Sequence, residues 1–200
     1  MKHESAKMTT RDYITGAIFS VLSIVCMMIS AIANMSGKTA LFYPALTAFF
    51  IGILFLVLLV KVPKRGIVIV FSIVPAVYFL TSGLLEGMIG ITGILIFAFL
   101  TEWILSKERS SLNRITLGGL VYTMNYSTIG FAENFLATDN YCDNALAHGI
   151  NPSVVEDMRR MYAIKPLWAV AIAATLLTAF LGMQVGKIIM KKHLKKVGLA

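Results

Sequence analysis

The sequence predicts an all-α integral membrane protein, a single bundle of six transmembrane helices with a short amphipathic helix in the outer loop before the last span. Three observations carry that prediction. The 200 residues are 58% hydrophobic and only 14% charged, with a mean hydropathy of +0.79, whereas a soluble domain carries about 25% charged residues. Apolar runs fall at 13–35, 41–60, 66–82, 84–105, 112–136 and 164–190, each long enough at ~1.5 Å per residue to cross ~30 Å of hydrocarbon. The cations lie in short clusters between those runs, the pattern of a chain oriented in a bilayer, which argues against nucleic acid as a partner despite the net charge of +8.

The first run is too long for the apolar part of a signal peptide and lacks a small-residue cleavage site, so it reads as a retained span. Gly16, Ser20 and Ser23 lie on one side of it, and Asn34 ends it. Tyr43 stands at the head of the second run. In the third, mid-span Pro75 should bend the helix and free a backbone carbonyl, and Tyr78 and Thr81 close it. Only Thr81-Ser82-Gly83 separates the third run from the fourth, and Glu86 just beyond supports a turn there. The fourth run carries Gly83, Gly87, Gly90 and Gly93 on one stripe, and the last carries Ala171, Thr175, Thr178, Gly182 and Gly186. Small-residue stripes let helices approach closely where lipid offers little hydrophobic drive. Most of these serve packing within the chain, and Gly16-xxx-Ser20 is the candidate for facing another protein.

The fifth run has an unusual polar load. Tyr122, Asn125, Tyr126 and Glu133 fall at i, i+3, i+4 and i+11, which on one continuous helix is a single face, with Asn125 ~17 Å above Arg114. Such a face must meet protein or a cavity, and an ionisable group in a span is by default a functional-site hypothesis. The alternative is that Glu133 reaches the headgroups and Asn125 only bonds a neighbouring helix. Asn34, Tyr43, Tyr78, Glu86 and Trp168 gather at the same level. Each could be an interfacial anchor; together they outline a pocket open to the outside, apolar with a few fixed polar groups.

The longest stretch outside the spans is 137–163. Asn151-Pro152-Ser153 followed by Glu156 predicts a helix start, with Ser153 and Glu156 at capping-box spacing. Val154, Val155, Met158, Met161 and Tyr162 then share a face opposite Glu156, Asp157, Arg159 and Arg160. That amphipathic helix covers a cavity mouth or rests on headgroups. No internal repeat is visible, and the whole of 1–200 reads as one membrane domain.

Six crossings put both termini on one side. Fourteen of the 18 Lys and Arg residues lie on that side, and only Lys38, Arg159, Arg160 and Lys165 lie opposite. Excess Lys and Arg stay in the cytoplasm, so both termini are expected there. Reactive chemistry is missing. All three histidines, His3, His148 and His193, lie outside the spans, and no HExxH, GxSxG or Walker loop occurs. Cys26 and Cys142 form no ligand pair, so no metal site and no disulfide is expected. The chain is not expected to be an enzyme, and any work of transport must come from elsewhere.

The two ends of the chain carry a family resemblance. Lys7-Met8-Thr9-Thr10-Arg11-Asp12-Tyr13-Ile14-Thr15-Gly16 runs straight into the first span, and the chain closes on a segment from Gly182-Met183-Gln184-Val185-Gly186-Lys187 to His193-Leu194-Lys195-Lys196-Val197-Gly198-Leu199-Ala200. These resemble the MptD (Trep_Strep) family of substrate-binding, or S, components of bacterial energy-coupling-factor (ECF) importers, and the likeness extends over almost the whole chain. The resemblance implies a six-helix subunit of the bacterial cell membrane, without catalysis or a cofactor of its own. It would capture a micronutrient outside and associate with a transmembrane T subunit and two ABC ATPases that consume the ATP. Many such subunits dock through an AxxxA motif on the first helix, and the matching place here reads Gly16-Ala17-Ile18-Phe19-Ser20. Gly16 and Ser20 are therefore the expected docking residues, and Tyr122, Asn125, Tyr126, Glu133, Asn34, Tyr78 and Glu86 the expected substrate pocket. Two readings from other classes stand beside this one. A stand-alone carrier or channel would favour mid-membrane charges or inverted repeats, and a structural or regulatory membrane protein would use the fifth-helix stripe only as glue.

Overall fold

Helix α1 (Thr10–Ser30) starts where Thr9 donates from both its backbone N and its hydroxyl to Asp12 Oδ2, each at 2.7 Å, placing a carboxylate at the positive end of the helix dipole. The computed structural model describes residues 7–82 and 84–196, with the side chains of 82–86 and 192–196 outside the description. After a 3-10 turn over Ala31–Met35 come α2 (Gly37–Ala40), α3 (Tyr43–Lys61), α4 (Ile67–Phe79) with a 3-10 turn over Leu80–Ser82, and α5 (Leu84–Leu105). They are followed by α6 (Leu112–Met124), a 3-10 turn over Ile129–Phe131, α7 (Ala132–Leu136), α8 (Thr138–Ala147), α9 (Pro152–Ala163) and α10 (Leu167–Lys196). Among the described residues all regular structure is helical.

The six longer helices close into a ring in the order α1, α4, α5, α6, α10, α3, and α3 also meets α6 across the middle. Helix α3 is the most enclosed: 61% of its most apolar stretch is buried, against 33% for α1, α5 and α10. Its Ile51, Phe55, Leu56 and Leu59 form the core with Phe71, Ala98, Tyr122, Ala179 and Met183. Against α10 the fit is backbone to backbone. A Cβ on Gly182 would stand 2.0 Å from the Phe49 carbonyl oxygen, and the Thr178 hydroxyl donates to the Ala45 carbonyl at 2.6 Å, as expected where small residues replace hydrophobic drive.

Among the described residues four helices are long and apolar enough to cross a membrane: Thr10–Met35, Tyr43–Lys61, Gly87–Leu105 and Leu167–Lys191. The third and fifth predicted spans are shorter, with 13 helical residues each in α4 and α6. The predicted turn between third and fourth runs is present, since α4 ends at Phe79 and α5 begins at Leu84. The single fifth helix over 112–136 is not. Asn125, Tyr126 and Ser127 donate three residues back, to Tyr122, Thr123 and Met124, and the chain then turns before α7. The cause is composition: Asn125, Ser127, Thr128 and Gly130 favour local bonds or free backbone over helix, and the Thr128 hydroxyl takes the Met124 carbonyl at 2.7 Å.

At the end where α1 starts, the connecting loops are tied together. Lys64 pairs with Asp12 at 2.7 Å. Glu102 Oε1 accepts from the backbone N of Gly66 and of Val68, at 3.0 Å each, at the start of α4. Its other oxygen pairs with Arg109, which also donates to the Lys64 carbonyl at 2.9 Å. At the opposite end α2, α7, α8 and α9 build a second core over Phe131, Phe135, Cys142, Val155, Met158 and Tyr162. The apolar face of α9 packs on α2 and α8. Its cap differs from the expected box: Asn151 Oδ1 accepts from Ser153 N at 2.9 Å, with Pro152 leading the helix.

Candidate functional site

The last turn of α6 carries Tyr122 into the centre of the ring, 0% exposed. It stacks on Phe55 at 5.4 Å, lies 5.6 Å from Phe71, and shares a 3.2 Å hydrogen bond with the Ser72 hydroxyl. These rings form an apolar floor. Just above, the tightened turn places Asn125 at 0% and Tyr126 at 3% exposure. Among the described residues neither the oxygen nor the nitrogen of the Asn125 amide has a partner, and the Tyr126 and Thr47 hydroxyls make no well-aligned hydrogen bond, with Tyr122 and Tyr43 respectively within reach of them. A buried polar atom left unpaired costs roughly 1–3 kcal/mol, and native interiors hold few of them, each calling for an explanation.

Above this polar layer lies a second set of rings. Trp168 stacks on Phe135 at 5.6 Å, and Phe131, Phe135 and Tyr141 pack edge-on around Tyr162. Trp168 Nε1 donates to the Ser127 carbonyl at 2.6 Å, fastening α10 to the turn that carries the layer. Burial, helped by Tyr141, pushes the Tyr162 phenol well above its ordinary pKa, so it stays a neutral donor. The site's functional groups are hydroxyls and one amide, suited to hydrogen bonding a solute.

The predicted pocket residues separate into several places. Tyr122, Asn125 and Tyr126 come together, but enclosed in the bundle and not in an open pocket. Glu133 sits on α7, half-buried and engaged by a neighbour, because the helix that would have aligned it with Asn125 ends at Met124. Asn34 is half-buried in the turn after α1. Tyr78, 37% exposed, lines a separate cavity of about 260 Å³ with Thr81, Tyr141, Asn144 and His148. Glu86 is predicted for the same pocket, and its side chain lies outside the described residues. A larger apolar groove of about 580 Å³, between the end of α1, α3 and α10, contains none of the predicted residues. Thr47 was not anticipated. It is a lone hydroxyl in an apolar run, and a serine or threonine there ordinarily bonds a carbonyl of its own helix; this one makes no such well-aligned bond and has the Tyr43 side chain within reach.

The expected docking residues are also placed differently. Gly16 is buried against α4, where a Cβ would come 2.8 Å from Val70 and 2.9 Å from Ile67. Ser20 is buried beside it, donating to the Phe71 carbonyl at 2.8 Å and accepting from Val74 N at 3.1 Å. Phe71 is the residue four before Pro75, so its carbonyl is the one that proline leaves without a helical donor. The expected freed carbonyl exists, and Ser20 takes it up. Gly16 and Ser20 are thus a joint within the chain.

No curated protein and no solved structure matches the chain. A family model described as a hypothetical bacterial integral membrane protein (Trep_Strep) matches residues 10–196. Four helices of membrane-crossing length around an apolar ring agree with that description, and the chain belongs to the Trep_Strep family of bacterial integral membrane proteins.

Proposed function

We propose that this protein is the substrate-binding component of an ECF-type importer, which captures a small micronutrient outside the cell and passes it inward with a T subunit and two ATPases. One observation carries the reading: among the described residues Asn125 holds an unpaired amide in the closed interior, with the Thr47 and Tyr126 hydroxyls making no well-aligned hydrogen bond, beneath a separately packed cap of short helices. A polar layer that natural packing leaves unsatisfied is a layer that a solute can satisfy. In this reading α4 and α6 complete six crossings together with the turns that follow them. The excess of Lys and Arg puts both termini in the cytoplasm, so the layer lies in the outer half of the cell membrane and the cap faces out. ATP is used by the partners. With Gly16 and Ser20 engaged on α4, a T subunit would meet the opposite side of α1, where Ile14, Ile18 and Val21 are exposed.

The test is affinity purification of the chain from bacterial membranes, followed by identification of bound proteins and retained small molecules. Copurifying ATPases and a retained solute are expected. Uptake by the chain alone in liposomes, without nucleotide, would replace this reading with that of a stand-alone carrier. A structural or regulatory role is favoured by one feature, the close packing of Tyr122 on Phe55 and Phe71. It predicts that no solute is retained and that the polar layer stabilises the fold.

A further inference from the structure

The polar layer has a definite chemical character. Its groups are the Thr47, Tyr122 and Tyr126 hydroxyls and the Asn125 carboxamide, none of which carries a formal charge. Two cations of the cap are engaged elsewhere: Arg159 pairs with Asp139 and Asp143 at the exposed surface, and Lys165 donates to the Phe135 carbonyl. An ion taken into the layer would lose its water without gaining a counter-ion there, a penalty of several kcal/mol. Among the described residues the layer itself thus favours a neutral solute.

The Asn125 amide narrows the class further. Both its donor and its acceptor are unpaired at 0% exposure, and the two lie side by side in one plane. Gly93 on α5 gives the side chain room, since a Cβ there would come 2.6 Å from Asn125 Oδ1. The complement of such a group is an adjacent acceptor and donor in one plane, the edge that lactams and carboxamides present and that asparagine reads bidentately on a purine. Flanking surfaces are rings: Tyr126 stands edge-on to Tyr122 at 6.5 Å, above the Phe55 and Phe71 floor. Rings favour flat aromatic partners over branched or flexible ones.

The cavity at Tyr78 has matching character. About 260 Å³ with tyrosine, threonine, asparagine and histidine in its wall falls just below the ~300 Å³ at which ligand pockets begin.

Resting on the solute-binding role proposed above, we infer that the cargo is a neutral, planar heterocycle of one or two rings, held through a lactam or carboxamide edge by Asn125, with Tyr126 and Thr47 bonding its remaining polar atoms.

The experiment uses the purified full chain in nanodiscs, with thermal shift and titration calorimetry. One probe set is uracil, hypoxanthine and nicotinamide; the other is benzoate, benzamidine and glutamate. At least one neutral probe is expected to bind, and Asn125→Leu to weaken it by about 10- to 100-fold, the discrimination of a bidentate amide contact. The same substitution is expected to leave the ligand-free midpoint unchanged or raised, because it removes orphaned polar atoms without removing volume. Tyr126→Phe should weaken the same probe several-fold, and it decides the matter if Asn125→Leu does not fold. Preferential binding of the charged set, or neutral-probe affinity untouched by both substitutions, overturns the inference and leaves solute binding standing. If neither set binds and no small molecule is retained on purification from the host, the solute-binding role itself falls and the inference with it.

Discussion

Removing the Ser20 hydroxyl should weaken the fold more than a usual hydrogen-bond deletion between membrane helices, and Pro75 is the reason. Interhelical bonds of this kind average only ~0.6 kcal/mol and reach ~1.7, because separated helices find other partners. The Phe71 carbonyl has no such recourse: Pro75 offers no N–H, and Ser20 supplies the donor at 2.8 Å while also accepting from Val74 N at 3.1 Å. Ser20→Ala leaves both backbone groups buried and short of a partner, at roughly 1–3 kcal/mol for each group left fully unsatisfied. Because the helix can recover part of the Val74 bond, the expected loss is about 2–3 kcal/mol. Pro75→Ala restores an N–H at the position that can reach Phe71, so in that background Ser20→Ala should cost no more than about 1 kcal/mol, in line with ordinary membrane hydrogen bonds. The assay is reversible unfolding of the four proteins in bicelles, read as a double-mutant cycle. A coupling energy of about 1 kcal/mol or more is expected between these neighbours. Equal losses in both backgrounds would show that the Phe71 carbonyl does not depend on Ser20, and the account of this joint would be wrong.

Glu102→Ala should destabilise by about 3–5 kcal/mol, since it strands Arg109 in a largely enclosed site and frees two backbone donors at the start of α4. Unfolding alongside Arg109→Ala and the double substitution checks this, and a single-site loss under about 1 kcal/mol would contradict the described pairing. Gly182→Ala should cost at least about 1–3 kcal/mol, the range for overpacking. Its Cβ meets the Phe49 carbonyl, which is backbone and cannot swing away, so a midpoint equal to wild type refutes the close α3–α10 contact. At Gly16 the atoms in the way are the side-chain ends of Val70 and Ile67, so Gly16→Ala should be tolerated while Gly16→Leu lowers stability of the isolated chain. If Gly16→Leu folds normally and loses only partner association, Gly16 faces outward after all.

The all-α membrane class and the long apolar helices were legible in the residues because lipid leaves a chain few options. Every backbone polar group in hydrocarbon must be satisfied locally, so apolar runs of sufficient length become helices regardless of what they pack on. For the same reason the turn before Leu84 and the carbonyl released by Pro75 could be read in advance. Spacing along one helix was a poorer guide to the site. It aligned Glu133 with Asn125 only as long as the helix continued, and the run of Asn125, Ser127, Thr128 and Gly130 ended it. Which small residues meet which neighbour was decided in three dimensions. Gly16-xxx-Ser20 has the same pattern whether it joins α4 or another subunit, and only the proximity of Phe71 distinguishes the two. Thr47 shows the limit most clearly. A lone hydroxyl in an apolar run carries no sign of its role, and its complete burial is a property of the assembled ring, where α3 meets α6.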